Sequence, residues 1–275
     1  MLKTRILTSI VLIPGFLAAL FMLPDLYWSL LMLVLIGIGL WEWAGMSRFS
    51  PWGRVAYVGT AVLACVAVVV GAGDAILYLQ EYAIFWGILA AAVFWLVLAP
   101  LWLTTRFRLR NVYLLGIAGW LVILPAWLAL VSLRRIDPIL LLAIMVAVWI
   151  ADTAAYLFGK RFGKHKLAPA ISPGKTWEGV LGAWFAVTVY GLVMTLGFNL
   201  DPWLIVALWG ITVLSIMGDL LESLVKRQSD VKDSGTLLPG HGGVLDRIDG
   251  LTSSLPLAAF FIYFPLYYDV LMAYV

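Results

Sequence analysis

Nine runs of about 20 mostly apolar residues, parted by short polar segments, are the strongest constraint on how this chain folds. A hydrocarbon layer about 30 Å thick offers bare peptide groups no partner, so a crossing segment must close its own hydrogen bonds. At about 1.5 Å of rise per residue, roughly 20 residues make one helical crossing. The runs fall near 6–23, 26–46, 55–73, 82–103, 112–133, 138–158, 179–198, 203–225 and 250–268. With 64% hydrophobic and 12% charged residues among 275, they exceed what a water-soluble core needs. The expected fold is an all-α, polytopic membrane protein of nine helices. Pro14, Pro125, Pro256 and Pro265 lie inside these runs and predict kinks, since neighbouring helices re-satisfy the freed backbone groups. Lys3 and Arg5 ahead of a run reaching Ala18 and Ala19 resemble a cleaved leader, but the run is long for one and eight more follow, so it is read as a retained first helix.

Lys and Arg next to membrane spans are held on the cytoplasmic side. With the amino terminus inside, every one of the 18 cations except Arg134 and Arg135 falls on inner segments, while Asp25, Asp74, Glu81, Asp201 and Asp269 fall outside. The predicted topology is therefore amino terminus in, carboxyl terminus out. Residues 1–137 form five amino-terminal spans. Residues 138–275 form the carboxyl-terminal region, interrupted by cytoplasmic loops 159–178 and 226–249, with no separate soluble domain. Loops of the first half are short, and its Arg106, Arg108 and Arg110 cluster reads as an orientation anchor touching lipid phosphate. A net charge of +3 argues against nucleic acid as a partner, and a cationic membrane face suits anionic headgroups or a phosphorylated substrate. Cys65 is the only cysteine, which excludes an intrachain disulfide and a thiolate metal cluster.

An Asp at the centre of a membrane helix costs roughly 2.5 to 3.5 kcal/mol on insertion scales, so an acid retained there marks a functional position. Asp152, Asp219 and Glu222 stand out. Asp219 lies seven residues before Lys226 and Asp152 eight before Lys160, which sets both roughly 10 to 12 Å from the inner end, at matched depth. Ser215, Asp219, Glu222 and Lys226 share one stripe of the eighth helix, so Glu222 and Lys226 can also form a purely structural ion pair. Asp246 and Asp249 flank Arg247 ahead of the ninth helix. Three or four carboxylates converging at the inner mouth suit a hard cation such as magnesium, although Asp249 is equally placed to cap the helix. In the intervening PGHGG, glycine lets backbone N–H groups approach a phosphate, and His241 can bind phosphate, ligate metal or pack in the turn. The earlier loop carries GKT at Gly174 to Thr176. A P-loop needs a glycine where Pro169 stands and a preceding strand, so that reading is rejected. A basic loop remains, able to meet phosphates through Lys164, Lys166, Ser172, Lys175 and Thr176.

The run from Ser223 to Asp249, SLVKRQSDVKDSGTLLPGHGGVLDRID, resembles the signature of the phosphatidate cytidylyltransferase family, the CDP-diacylglycerol synthases. Asp152, Ala155, Tyr156, Gly159, the RFGKHKL run at 161–167 and the segment SPGKTWEG at 172–179 resemble it too, so the likeness covers about the last 130 residues. The resemblance implies that CTP and phosphatidate react to CDP-diacylglycerol and pyrophosphate with Mg2+, and with a possible second cation. It implies Asp219 and Asp246 as principal metal ligands, Asp249 and Asp152 as further ones, and Lys226 and Arg247 beside Asp219 and Asp246 in catalysis. Nucleotide contacts would fall to Ser172, Lys175, Thr176, Ser223, Arg227, Lys232, Gly240, His241, Gly242 and Gly243. It further implies a homodimer. The alternative from another class is a cation- or proton-coupled transporter, which would place its acids near the midplane of related halves. A CDP-alcohol phosphotransferase fails on spacing, because Leu251 to Ala259 supplies neither its Ala-Arg nor its later acids.

Overall fold

Several helices open where the sequence supplies a capping side chain. The computed structural model describes residues 2–70, 74–237 and 242–273, with side chains outside 2–9, 11–12, 70, 74–79 and 265–273. Its helices are α1 (Leu2–Met22), α2 (Asp25–Met46), α3 (Pro51–Val70), α4 (Asp74–Val93), α5 (Ala99–Thr105), α6 (Val112–Ile136), α7 (Pro138–Phe162), α8 (Trp177–Phe198), α9 (Trp203–Gln228) and α10 (Leu245–Ala273). Asn111 Oδ1 accepts from the N–H groups of Tyr113 and Leu114 to open α6, and Asp137 Oδ1 accepts from Ile139 N to open α7. A π turn, Phe94–Leu98, joins α4 to α5 as one rod. Pro100, which follows it, has no N–H to give and would press its ring on the carbonyl four residues back. The wider turn relieves that clash.

The rods thus coincide with the nine apolar runs. Seven helices among the described residues are long and apolar enough to cross a membrane. One departure from all-helix structure occurs in the loop after α7, where β1 (Lys166–Ala168) pairs antiparallel with β2 (Ser172–Thr176), Ala168 opposite Ser172. The expectation that no strand precedes GKT is corrected: β1 precedes it, and Gly174, Lys175 and Thr176 lie within β2 itself. Three- and five-residue strands turning at Pro169 are too short for an alternating pattern to show in sequence.

Tryptophan does much of the joining in the first half. Trp43 Nε1 donates to Leu115 O at 2.8 Å, Trp127 Nε1 to Ser29 O at 3.0 Å and Trp28 Nε1 to Leu130 O at 3.3 Å, so α2 and α6 are stitched by indole N–H groups. Helix–helix hydrogen bonds in membranes average about 0.6 kcal/mol each, with ring packing added. Arg134, an exception to the charge pattern, is 7% exposed. Its guanidinium donates to Leu20 O at 2.8 Å, to Asp25 at 2.5 Å and to Leu23 O, closing carbonyls at the end of α1. It is a lock between α1, α2 and α6. Cys65 is a buried free thiol in α3, as a small apolar residue would be.

Candidate active site

The carboxyl-terminal ends of α7 and α9 and the amino-terminal ends of α8 and α10 are brought together by close backbone approach. A Cβ on Gly218 would stand 2.3 Å from Asp249 O, so α9 and α10 touch at the level of their acids only because that position lacks a side chain. The loop from α7 to α8 is tied by Glu178, whose carboxylate accepts from Lys164 N at 3.0 Å and meets His165 Nδ1 at 2.6 Å. Thr176, 4% exposed, accepts from Gly179 N through Oγ1 and caps α8.

These elements enclose a cavity of about 630 Å³. Asp152 of α7, Asp219 of α9, and Asp246 and Asp249 of α10 all line it, facing Lys160, Lys166, Ser172, Lys175 and Thr176. Asp219 is poised between two groups: Lys175 Nζ lies 2.6 Å from Oδ2, and Ser223 Oγ donates to Oδ1 at 3.2 Å. Asp152 accepts from Ser215 Oγ at 3.0 Å, and Asp249 from Gly250 N at 2.7 Å. Lys160 Nζ sits 5.6 Å from the centroid of the Tyr156 ring, which braces it at the rim.

Asp246 differs. Lys226 Nζ lies 2.6 Å from its Oδ1, and Oδ2 accepts from Gly243 N at 2.8 Å and Ser234 N at 3.0 Å. Lys226 Nζ also lies 2.7 Å from Glu222 Oε2, making a buried chain of three charges. Asp246 stands ahead of the apolar run of α10. Burial alone would raise its carboxyl, but the hydrogen bond from Lys226 and those from Gly243 and Ser234 outweigh it and hold the group below the usual carboxylate range. Gly242, at φ 81°, makes the turn that aims Gly243 N, and a Cβ there would be 2.6 Å from Asp246 Oδ2.

The Cytidylyltransferase family matches residues 3–265. The chain belongs to the Cytidylyltransferase family. A Pseudomonas aeruginosa protein named phosphatidate cytidylyltransferase is 41% identical over 274 residues, covering 94% of this chain and 96% of its own. A Haemophilus influenzae protein of the same name is 35% identical over 291 residues, covering 97% and 100%. A Staphylococcus aureus one is 51% identical over 116 residues, 40% of this chain and 44% of its own.

As a cytidylyltransferase-family member, the chain distributes its candidate residues unevenly. Asp152, Asp219, Asp246, Asp249, Ser172, Lys175 and Thr176 share the cavity. Ser223 bonds Asp219, while Lys226 and Gly243 both bond Asp246. Arg227, Lys232 and Arg247 are exposed and are not among the described residues lining the cavity. Gly240 and His241 lie outside the described residues.

The residue that sequence reasoning misses is Glu42 of α2, 7% exposed. It accepts from Val244 N at 2.9 Å, Leu245 N at 2.8 Å and Ser234 Oγ at 3.0 Å, so an acid of the first half holds the start of α10 where Asp246 begins. The signal available was an acid inside the second apolar run, six residues before Arg48.

Proposed function

We propose that the chain transfers a cytidylyl group from CTP to phosphatidate, giving CDP-diacylglycerol and pyrophosphate, on the cytoplasmic side of a cell membrane that it crosses nine times. One observation carries the reading: a single cavity joins the carboxylates of Asp152, Asp219 and Asp249 to the ammonium groups of Lys160, Lys166 and Lys175. The family match and the names of the relatives point to the same reaction.

Phosphatidate brings its own nucleophile. A phosphomonoester has a second pKa of about 6, so it is largely dianionic near neutrality and needs no strong protein base. A phosphate oxygen of the lipid attacks the α-phosphorus of CTP. The bond from that phosphorus to the β-bridging oxygen breaks, and its electron pair leaves with pyrophosphate. The protein's contribution is alignment and charge neutralisation. Lys160, Lys166 and Lys175 face the gathering polyanions, and Asp219 holds Lys175 in readiness at 2.6 Å.

Among the described residues, no three His, Cys, Asp or Glu side chains form an ion-binding group by themselves. Magnesium asks for less than that, because it commonly takes one or two carboxylates and fills its remaining positions with water and substrate phosphate oxygen. Asp219 and Asp249, with Asp152 beside them, fit that donor set. When bound, the ion would neutralise phosphate charge. Asp246, whose oxygens are engaged by Lys226, Gly243 and Ser234, is assigned to holding the mouth of the cavity. A second cation and a homodimer follow from the resemblance and belong to the same proposal. No observation favours the transporter alternative.

The test is incorporation of α-phosphate label from CTP into a chloroform-soluble product, in vesicles containing phosphatidate. Transfer should appear with magnesium and vanish with a chelator. Label that stays water-soluble under both conditions would sink the reading.

A further inference from the structure

A second recess lies on the cation-rich face and shares no described residue with the cavity above. Its volume is about 330 Å³. Arg48 after α2, with Arg108 and Arg110 before α6, walls it over Gln228 and Ser229 at the end of α9. A groove of about 620 Å³ continues from it between α3 and α6, past Tyr57, Gly116, Ile117 and Trp120. Arg48 and Val112 line both spaces, so a charged pocket and a largely apolar channel form one continuous surface.

The charge balance of the pocket is positive. Asp230 Oδ2 lies 3.2 Å from Arg48 Nη2 and 3.4 Å from Arg108 Nη2, one carboxylate between two guanidinium groups. Arg110 has no ion-pair partner among the described residues, and no described Asp or Glu lines either space. Hydrogen-bonding capacity is also left over. Ser47, 1% exposed and lining the pocket, has no partner for its Oγ, and Trp120 Nε1 beside the groove has none either. The groove wall is preformed: Phe49 stacks on Tyr57 at 5.0 Å and Tyr57 on Trp120 at 5.1 Å, while the Tyr57 hydroxyl donates to Gly116 O.

We infer that pocket and groove together bind an anionic phospholipid that is not being turned over, with its phosphate among Arg48, Arg108 and Arg110 and an acyl chain along α3 and α6. Guanidinium groups match phosphate oxygens in a planar fork, which a neutral headgroup cannot use. Basic pockets between membrane helices favour anionic headgroups, and an apolar channel leading away from the phosphate position has no use for inorganic phosphate. The site stands whether or not the reaction proposed above is correct.

Native mass spectrometry of the full chain, released from membranes of equal phosphatidylglycerol and phosphatidylcholine with matched chains, tests it. Wild type should retain phosphatidylglycerol over phosphatidylcholine by about tenfold or more. The combined Arg48→Gln, Arg108→Gln and Arg110→Gln protein should fall to within about twofold, while the corresponding triple Lys protein stays above that, since its charge is kept. Ile117→Trp, which fills the groove and leaves the arginines intact, should lose the lipid as well. Equal retention of both lipids by wild type, or an unchanged preference in the triple Gln protein, would overturn the inference. So would inorganic phosphate displacing the lipid from wild type and binding the Ile117→Trp protein just as well, because the site would then recognise the headgroup alone. A dimer that these substitutions dissociate without any change in retained lipid would assign the face to a second copy of the chain.

Discussion

Two sets of acids stand side by side at one end of these helices, and they differ in burial and in what surrounds their oxygens. Glu42, Glu222 and Asp246 face protein donors: backbone N–H groups at the start of α10, Ser234, and the ammonium of Lys226. Asp152, Asp219 and Asp249 line the open cavity, with lighter ties to Ser215, Lys175, Ser223 and Gly250. Acids of the first set hold elements in register; those of the second border the cavity with one or two partners each. A carboxylate's place in sequence says little about which set it joins, because the distinction lies in its neighbours.

The comparison breaks most visibly at Asp219 and Asp249. Replacing either with Asn keeps shape and removes charge, so the rate of cytidylyl transfer should fall about 10²- to 10³-fold, as when a preorganised electrostatic group is lost, while Tm moves little. A large Tm loss with unchanged specific activity in the folded fraction would put these residues with the locks.

The next largest effect belongs to the locks. Lys226→Met leaves Glu222 and Asp246 buried without their cation and should cost about 3 to 5 kcal/mol of stability, and Glu42→Gln about 1.5 to 3 kcal/mol. Denaturation in detergent measures both, and their activity loss should track the unfolded fraction and recover on cooling. Stable variants with no activity would erase the contrast.

Acidity sharpens it further. Asp246 has a lower pKa folded than unfolded, so its stabilisation is fully present above the ordinary carboxylate value near pH 4 and is lost as pH falls through the folded value. Tm followed downward from pH 7 should show the loss of this group's contribution only below about pH 4, and Asp246→Asn should flatten that acid limb. The smallest change is expected at Arg227→Gln and Lys232→Gln, exposed and outside the described cavity lining, where transfer should drop less than about fivefold. A hundredfold drop would mean that the nucleotide extends well beyond the cavity.

Much of this was legible in sequence. The nine apolar runs fall on helical rods, because a membrane helix must be apolar along its length, and among the described residues seven of these helices are long and apolar enough to cross a membrane. The shared depth of Asp152 and Asp219 was readable by counting back from Lys160 and Lys226, and both line one cavity. Glu42 was not readable as a clamp, since its partners are backbone N–H groups more than 200 residues away, with |i−j| of 202 and 203. Asp246 was expected as a principal metal ligand from the convergence of carboxylates ahead of the ninth run and from the family resemblance, and it does line the cavity with Asp152, Asp219 and Asp249. What was not readable is its tie to Lys226 of α9 and to the left-handed turn at Gly242. The β1–β2 hairpin escaped because its strands are too short to carry a period.

The clamp made by Glu42 also orders the protein's birth. Its carboxylate leaves the ribosome 202 residues ahead of the Val244 amide it will accept from. Until α10 is threaded and docks, the backbone N–H groups that Glu42 accepts from are absent, and the mouth of the cavity lacks that tie. Competence for chemistry thus waits on α10, which carries Asp246 and Asp249.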